Sequence, residues 1–278
     1  MSEPGPAKWA IDITHILNAA LGPNHFPIKV QLIAKEFSKQ RYPDDPITDM
    51  IGDNLPGFDG ALRRSKNKKG WGVFYNDQVS SPGRINFTLA HEFGHYLLHR
   101  RTYPEGIKCG TQDMIRWDTE YALIEQQANL FAATLLMPLD DFRKQIDARG
   151  AVDFDVIGEC ARRYEVSTTA ATLRWLSYTE KRALLVVSRD NFILWARSSD
   201  KAFRTGAFFR TKGQPVEVPA GSLVARGVTN EENTMLHGPG IWFDEETIEI
   251  TLFADKYDFA LSLLILPDDR EWRPTDSL

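Results

Sequence analysis

Cysteine is scarce in this sequence: Cys109 and Cys160 are the only two in 278 residues, and they stand in unrelated contexts. No Cys-x-x-Cys zinc knuckle or disulfide framework can be built from them. Both read as small apolar residues. Long apolar runs are missing too. No stretch approaches the roughly 18 consecutive apolar residues of a membrane span. The opening MSEPGPAKWA has no charged segment followed by an apolar one, so a reducing cytoplasm is the expected location. There is no excess of positive charge: the net charge is -5 and the pI near 5.7. That balance disfavours a general binder of nucleic-acid backbones, whose affinity comes from counterion release. The densest basic cluster, RRSKNKK at 63–69, has five basic residues in seven. Lying between two apolar stretches, it reads as a solvated hairpin tip. No internal repeat or low-complexity segment is present.

What is present is enough apolar residue, 42%, for a substantial core, and a pattern that changes twice along the chain. The first part, 1–139, mixes helix and strand. Trp9, Ile13, Ile16, Leu17 and Ala20 recur at helical spacing over 7–21, and a short helix is expected over about 30–37. FDGALRR and WGVFYN look like two strands around the basic tip. Ser81 can cap a helix whose first turn holds Pro82 and which runs to about Arg100. After a loop containing Pro104, Gly106 and Gly110, a second long helix is expected over 118–137. Its wide apolar face comprises Tyr121, Leu123, Ile124, Ala128, Phe131, Ala132, Leu135 and Leu136. The second part, 140–182, reads as helical, with Ser167 a good N-cap between two helices. The third, 183–278, alternates or runs apolar between turns and reads as a small β-rich module. The class is α+β.

The chemistry centres on FTLAHEFGHYLLHR. Residues four apart on a helix share a face about 6 Å apart along the axis. His91 and His95 can therefore converge on one zinc ion. Glu92 lies about 100° around the helix, where it can serve as general base toward a water at the metal. A catalytic zinc needs a third protein ligand. Glu125, thirty positions after His95 on the next long helix, is the best candidate. Asn129, four residues further on the same face, can accept the free imidazole N–H of a ligand histidine. His99 lies one more turn along, roughly 12 Å from His91 on the axis, which is too far to join them. It reads as a cleft-edge or surface residue. Tyr75 and Tyr96 are candidates for stabilising an oxyanion, though packing is the preferred reading of each.

The pair of motifs RINFTLAHEFGHYLLH and EQQANLFAATLLMP resembles the ImmA/IrrE family of zinc metallopeptidase-like proteins. There an HExxH helix is followed by an E-x-x-A-N helix ending in Leu-Leu-Met-Pro. The resemblance covers about 58–138. It implies a gluzincin-like domain with a small sheet over 1–139, one Zn2+ per chain held by His91, His95 and Glu125, and Glu92 as catalytic base. It also matches GVFYN, that is Gly72, Val73, Phe74, Tyr75 and Asn76, to a strand that binds extended substrate at a sheet edge. The family's activity implies cleavage of a helix-turn-helix repressor, with derepression of phage, mobile-element or stress-response genes.

Two other readings stay open. One is a regulatory binding protein on a peptidase-like scaffold, holding a repressor or antitoxin without turnover. The other is a DNA-binding regulator, since ARRYEVSTTAATLRWL has helix-turn-helix character. Against duplex binding, 140–182 carries eight basic and eight acidic residues and so lacks an electrostatic footprint. Packing or substrate docking is the preferred role of these helices.

Overall fold

A computed structural model of the chain describes residues 4–66, 69–110, 119–227, 233–254 and 258–268. Residues 67 and 68 of the basic tip, Asp118, and the side chain of Cys109 lie outside that description. The chain forms two compact units. The first comprises 1–142 and 161–167, the second 143–160 and 168–278. The helical stretch 140–182, distinct by pattern, is thus divided between them.

In the first unit, α1 (Pro6–Leu21) and α2 (Val30–Arg41) precede three strands, β1 (Ile47–Asp53), β2 (Phe58–Arg64) and β3 (Trp71–Asn76). The long helix α3 (Pro82–His99) follows, then β4 (Gly106–Gly110) and a second long helix, α4 (Thr119–Leu136). Ser81 caps α3, its side chain accepting from the Arg84 N–H at 3.3 Å, and Pro82 occupies the first turn, where its missing N–H costs nothing. The four strands lie in the order β1-β3-β2-β4, with β1 parallel to β3 and the other pairs antiparallel. α3 packs on β2 and β3 and on α4, and α1 packs on α4. Phe93, Leu97, Phe131, Ala132 and Leu135 are buried. Leu123 instead stands 51% exposed: it is one residue, about 100°, away from buried Ile124, which puts it outside the apolar stripe of α4.

Three short helices, α5 (Leu139–Gln145), α6 (Phe154–Tyr164) and α7 (Thr168–Leu176), come next. The turn between α6 and α7 begins at Glu165, which has φ 51°.

The remaining elements belong to the second unit: β5 (Arg182–Arg189), β6 (Phe192–Ser198), α8 (Asp200–Arg204), β7 (Val216–Glu217), α9 (Leu223–Arg226), β8 (Thr234–His237), β9 (Thr247–Ala254) and β10 (Phe259–Leu266). The strands form one sheet in the order β7-β6-β5-β10-β9-β8, antiparallel throughout. β5 and β6 are joined by Asp190 and Asn191, both at positive φ (50° and 63°), as a two-residue hairpin turn matched to strand twist requires. Leu184, Val186, Leu264 and Trp242 share its core. A buried carboxylate ties the unit together. Glu249 accepts from the backbone N–H groups of Leu223 and Val224 (2.8 and 3.0 Å), His237 Nε2 (2.8 Å), Trp242 Nε1 (2.8 Å) and Ser262 Oγ (3.1 Å). Removing one side of such a network strands the other. Glu249→Ala is expected to cost about 3–5 kcal/mol, read as a lower denaturant midpoint of the full chain. An unchanged midpoint would show that the network contributes little.

Among the described residues no helix is long and apolar enough to cross a membrane.

Candidate metal centre

Two helices meet closely enough to share a site because small residues face each other where they touch. A Cβ on Gly94 would lie 3.0 Å from Phe131 Cδ1 and 3.3 Å from Ala128 Cα, so the backbones of α3 and α4 approach at Gly94 and Ala128. One turn before Ala128 on α4 stands Glu125, and Gly94 lies between His91 and His95. The contact that packs the helices therefore brings together the three side chains singled out by their spacing.

His91 Nε2 and His95 Nε2 are 2.9 Å apart. The Glu125 oxygens lie 3.3 Å from His91 Nε2 and 3.2 Å from His95 Nε2. A tetrahedral ion with bonds of about 2.0–2.1 Å spaces its ligand atoms by about 3.3 Å, so this triangle fits one. The tautomers agree. His91 Nδ1 lies 3.0 Å from Asn129 Oδ1. An amide oxygen only accepts, so Nδ1 carries the hydrogen and the Nε2 lone pair faces the centre. Among the described residues, His91, His95 and Glu125 form the one cluster of such donors, with ligand atoms within 4.8 Å of one another. Two imidazole nitrogens and a carboxylate converging this closely need a cation among them.

The electrostatics carry the same message. Burial pushes His91 down, but its hydrogen bond with Glu125 and the charges of Glu92 and Glu125 outweigh burial and raise it above its ordinary value. Burial lowers His95 to about 4, with the Glu125 hydrogen bond opposing. Burial would raise Glu125, but hydrogen bonds with His91 and His95 hold it well below the usual carboxylate range. The Glu125 carboxylate, held ionised between the two imidazoles, favours positive charge at the centre, which a divalent ion would supply.

Glu92 is fully buried on α3. Its carboxylate lies against β2 at Gly60, where a Cβ would come within 2.6 Å of Glu92 Oε1 and 2.7 Å of Thr88 Cγ2. Only glycine leaves that space. Sequence inspection did not single out Gly60, and FDGALRR gives no local sign that its glycine abuts a helix far along the chain.

Other residues sit differently from their sequence reading. His99 is 5% exposed, not at a surface or cleft edge, and its two nitrogens contact His95 and Gln127. A third histidine at the next i+4 position is the available signal. Tyr96 is fully buried. Its hydroxyl donates to the Asp45 carbonyl at 2.7 Å, and its ring faces the Arg100 guanidinium at 4.5 Å, so packing is its duty and an oxyanion role is excluded. Gly72, Val73, Phe74, Tyr75 and Asn76 do not form a sheet edge. β3 is hydrogen-bonded to β1 on one side and β2 on the other, so no edge remains on which to add a strand, and the open edges belong to β1 and β4. Tyr75 pairs directly with Gly60 across the strands and so shares the sheet face that Glu92 touches. Its hydroxyl accepts from Gln31 Nε2 at 3.3 Å, which leaves its own proton to donate.

Comparison with known proteins points the same way. Residues 49–176 match the peptidase family model described as an IrrE N-terminal-like domain. The radiation response metalloprotease IrrE of Deinococcus deserti is 35% identical over 102 residues, covering 36% of this chain and 34% of its own. The chain thus matches about a third of that relative's length. A solved Mycobacterium tuberculosis transcriptional regulator is similar in fold, with a TM-score of 0.55 over 92% of this chain and 75% of its own, at 15% identity. Residues 49–176, which hold the HExxH helix and the Glu125 helix together, are thus similar to an IrrE-like metallopeptidase domain.

Proposed function

We propose that the chain is a zinc-dependent endopeptidase that cuts one specific protein partner, a helix-turn-helix repressor, and so releases phage, mobile-element or stress-response genes. The observation that carries the catalytic part is the triangle of His91 Nε2, His95 Nε2 and a Glu125 carboxylate with edges of 2.9–3.3 Å, beside the buried carboxylate of Glu92. Two imidazoles and one carboxylate are the donor set of a hydrolytic zinc site that keeps a position open. Zinc held there would polarise the scissile carbonyl and make water acidic enough to attack near neutral pH. The protein's own groups do the rest. Glu92 takes the proton from the attacking water and later delivers it to the leaving amide nitrogen. Asn129 holds the His91 ring with Nε2 inward. The Tyr75 hydroxyl is the candidate donor to the oxyanion. The radiation response metalloprotease that matches part of this chain supports the peptidase reading, and the repressor substrate follows from the family resemblance.

The test is to incubate the zinc-loaded chain with the small helix-turn-helix protein encoded beside it, where there is one, and to follow cleavage by mass spectrometry. A single discrete cut that chelation abolishes and zinc restores is expected. An intact partner held in a stable complex would favour binding without turnover.

Gly60 provides a finer check on Glu92. Gly60→Ala places a methyl group where Glu92 Oε1 lies, so the base must move while the three ligands do not. Zinc content should stay at wild-type level while kcat falls about 10²-fold, the scale of an ångström's misplacement of a reacting group. Unchanged turnover would show that Glu92 tolerates displacement.

A further inference from the structure

Behind His95 lies a relay that the mechanism above does not use. His99 Nδ1 is 3.0 Å from His95 Nδ1, and His99 Nε2 is 2.8 Å from Oε1 of Gln127 on α4. Two ring nitrogens form a hydrogen bond only when one carries a hydrogen and the other a lone pair. The amide oxygen of Gln127 only accepts, so His99 Nε2 carries the hydrogen and, in the neutral ring, Nδ1 carries the lone pair. His95 must then donate from Nδ1, which leaves its Nε2 lone pair pointing at His91 and Glu125. If the relay ran the other way, His95 would present an N–H to the centre and could not bind a metal.

We propose that His99 and Gln127 are positioning residues that fix His95 in its metal-binding tautomer and thereby set the affinity of the centre. This rests on the reading of His91, His95 and Glu125 as a metal site. α4 then serves both histidines of α3, one through Asn129 and the other through Gln127 and His99. Neither His99 nor Gln127 touches substrate or metal.

The experiment measures zinc affinity of the full chain by competition with a chromogenic chelator, together with the melting temperature in excess chelator. His99→Leu should weaken zinc binding about 10–100-fold, the usual effect of losing the partner of a ligand histidine. Gln127→Leu should shift affinity the same way by less. Gln127→Glu, which keeps an acceptor at that position, should bind nearly as wild type. The double variant should be no weaker than His99→Leu alone, because Gln127 acts only through His99. A purely structural role predicts a lower melting temperature in chelator with zinc affinity unchanged, and that result would overturn the proposal. Should His99→Leu fail to fold, wild-type affinity in Gln127→Leu would overturn it equally. A wild-type chain that binds no zinc would overturn both this proposal and the metal-site reading. A wild-type chain that binds zinc, with variants that bind it equally, would overturn this proposal alone.

Discussion

Glu92→Gln is expected to bind zinc as the wild type does and to cleave its partner about 10²–10⁴ times more slowly, the range contributed by a positioned general acid–base group. Glutamine has nearly the shape of glutamate and fits the same fully buried slot against Gly60, so the helix pair and the three ligands should be undisturbed. What it lacks is the ability to take a proton from water. Cleavage rate and zinc content, measured on one preparation, separate the two properties. A variant that cuts at the wild-type rate would remove Glu92 from the mechanism. Loss of zinc along with activity would mean that Glu92 helps to hold the ion.

The second large effect is expected at Glu125. Glu125→Ala removes the only ligand contributed by α4, leaving His91 and His95 with their nitrogens 2.9 Å apart and no carboxylate to balance a divalent ion. A ligand bound only by the native state stabilises by about 4 kcal/mol when present at a thousand times its Kd. For the wild type, excess zinc should therefore raise the melting temperature by several degrees. For Glu125→Ala that rise should vanish, and chelator should make no difference. If zinc still stabilises the variant fully, the third ligand is another residue.

How much of this could be read in the sequence follows from how far apart the relevant residues lie. His91, Glu92 and His95 occupy one helix, where a fixed rotation of about 100° per residue determines which side chains share a face. Glu125 and Asn129 are four apart on a second helix, and the same geometry applies. The meeting of the two helices left a local trace in Gly94 and Ala128, the small residues at the contact. Strand order left none. WGVFYN alternates as a strand should, but whether a strand is central or at an edge depends on partners elsewhere in the chain, and both sides of β3 are taken. β1, ITDMIGD, carries polar residues at Thr48, Asp49 and Asp53, and β4, GIKCG, is five residues that begin and end with glycine. Neither has the apolar alternation that marks a strand, and both are edge strands, where polar residues carry little penalty. Axial distance excludes His99 as a ligand. Its contacts with His95 and Gln127 depend on how the helices pack and show only in three dimensions.

The most direct measurement of the central claim is anomalous scattering at the zinc absorption edge from crystals of the chain grown with zinc. The account predicts one strong peak per chain, within about 2.0–2.2 Å of His91 Nε2, His95 Nε2 and a Glu125 oxygen. A map with no peak between those three groups, or with the zinc bound elsewhere, would contradict it.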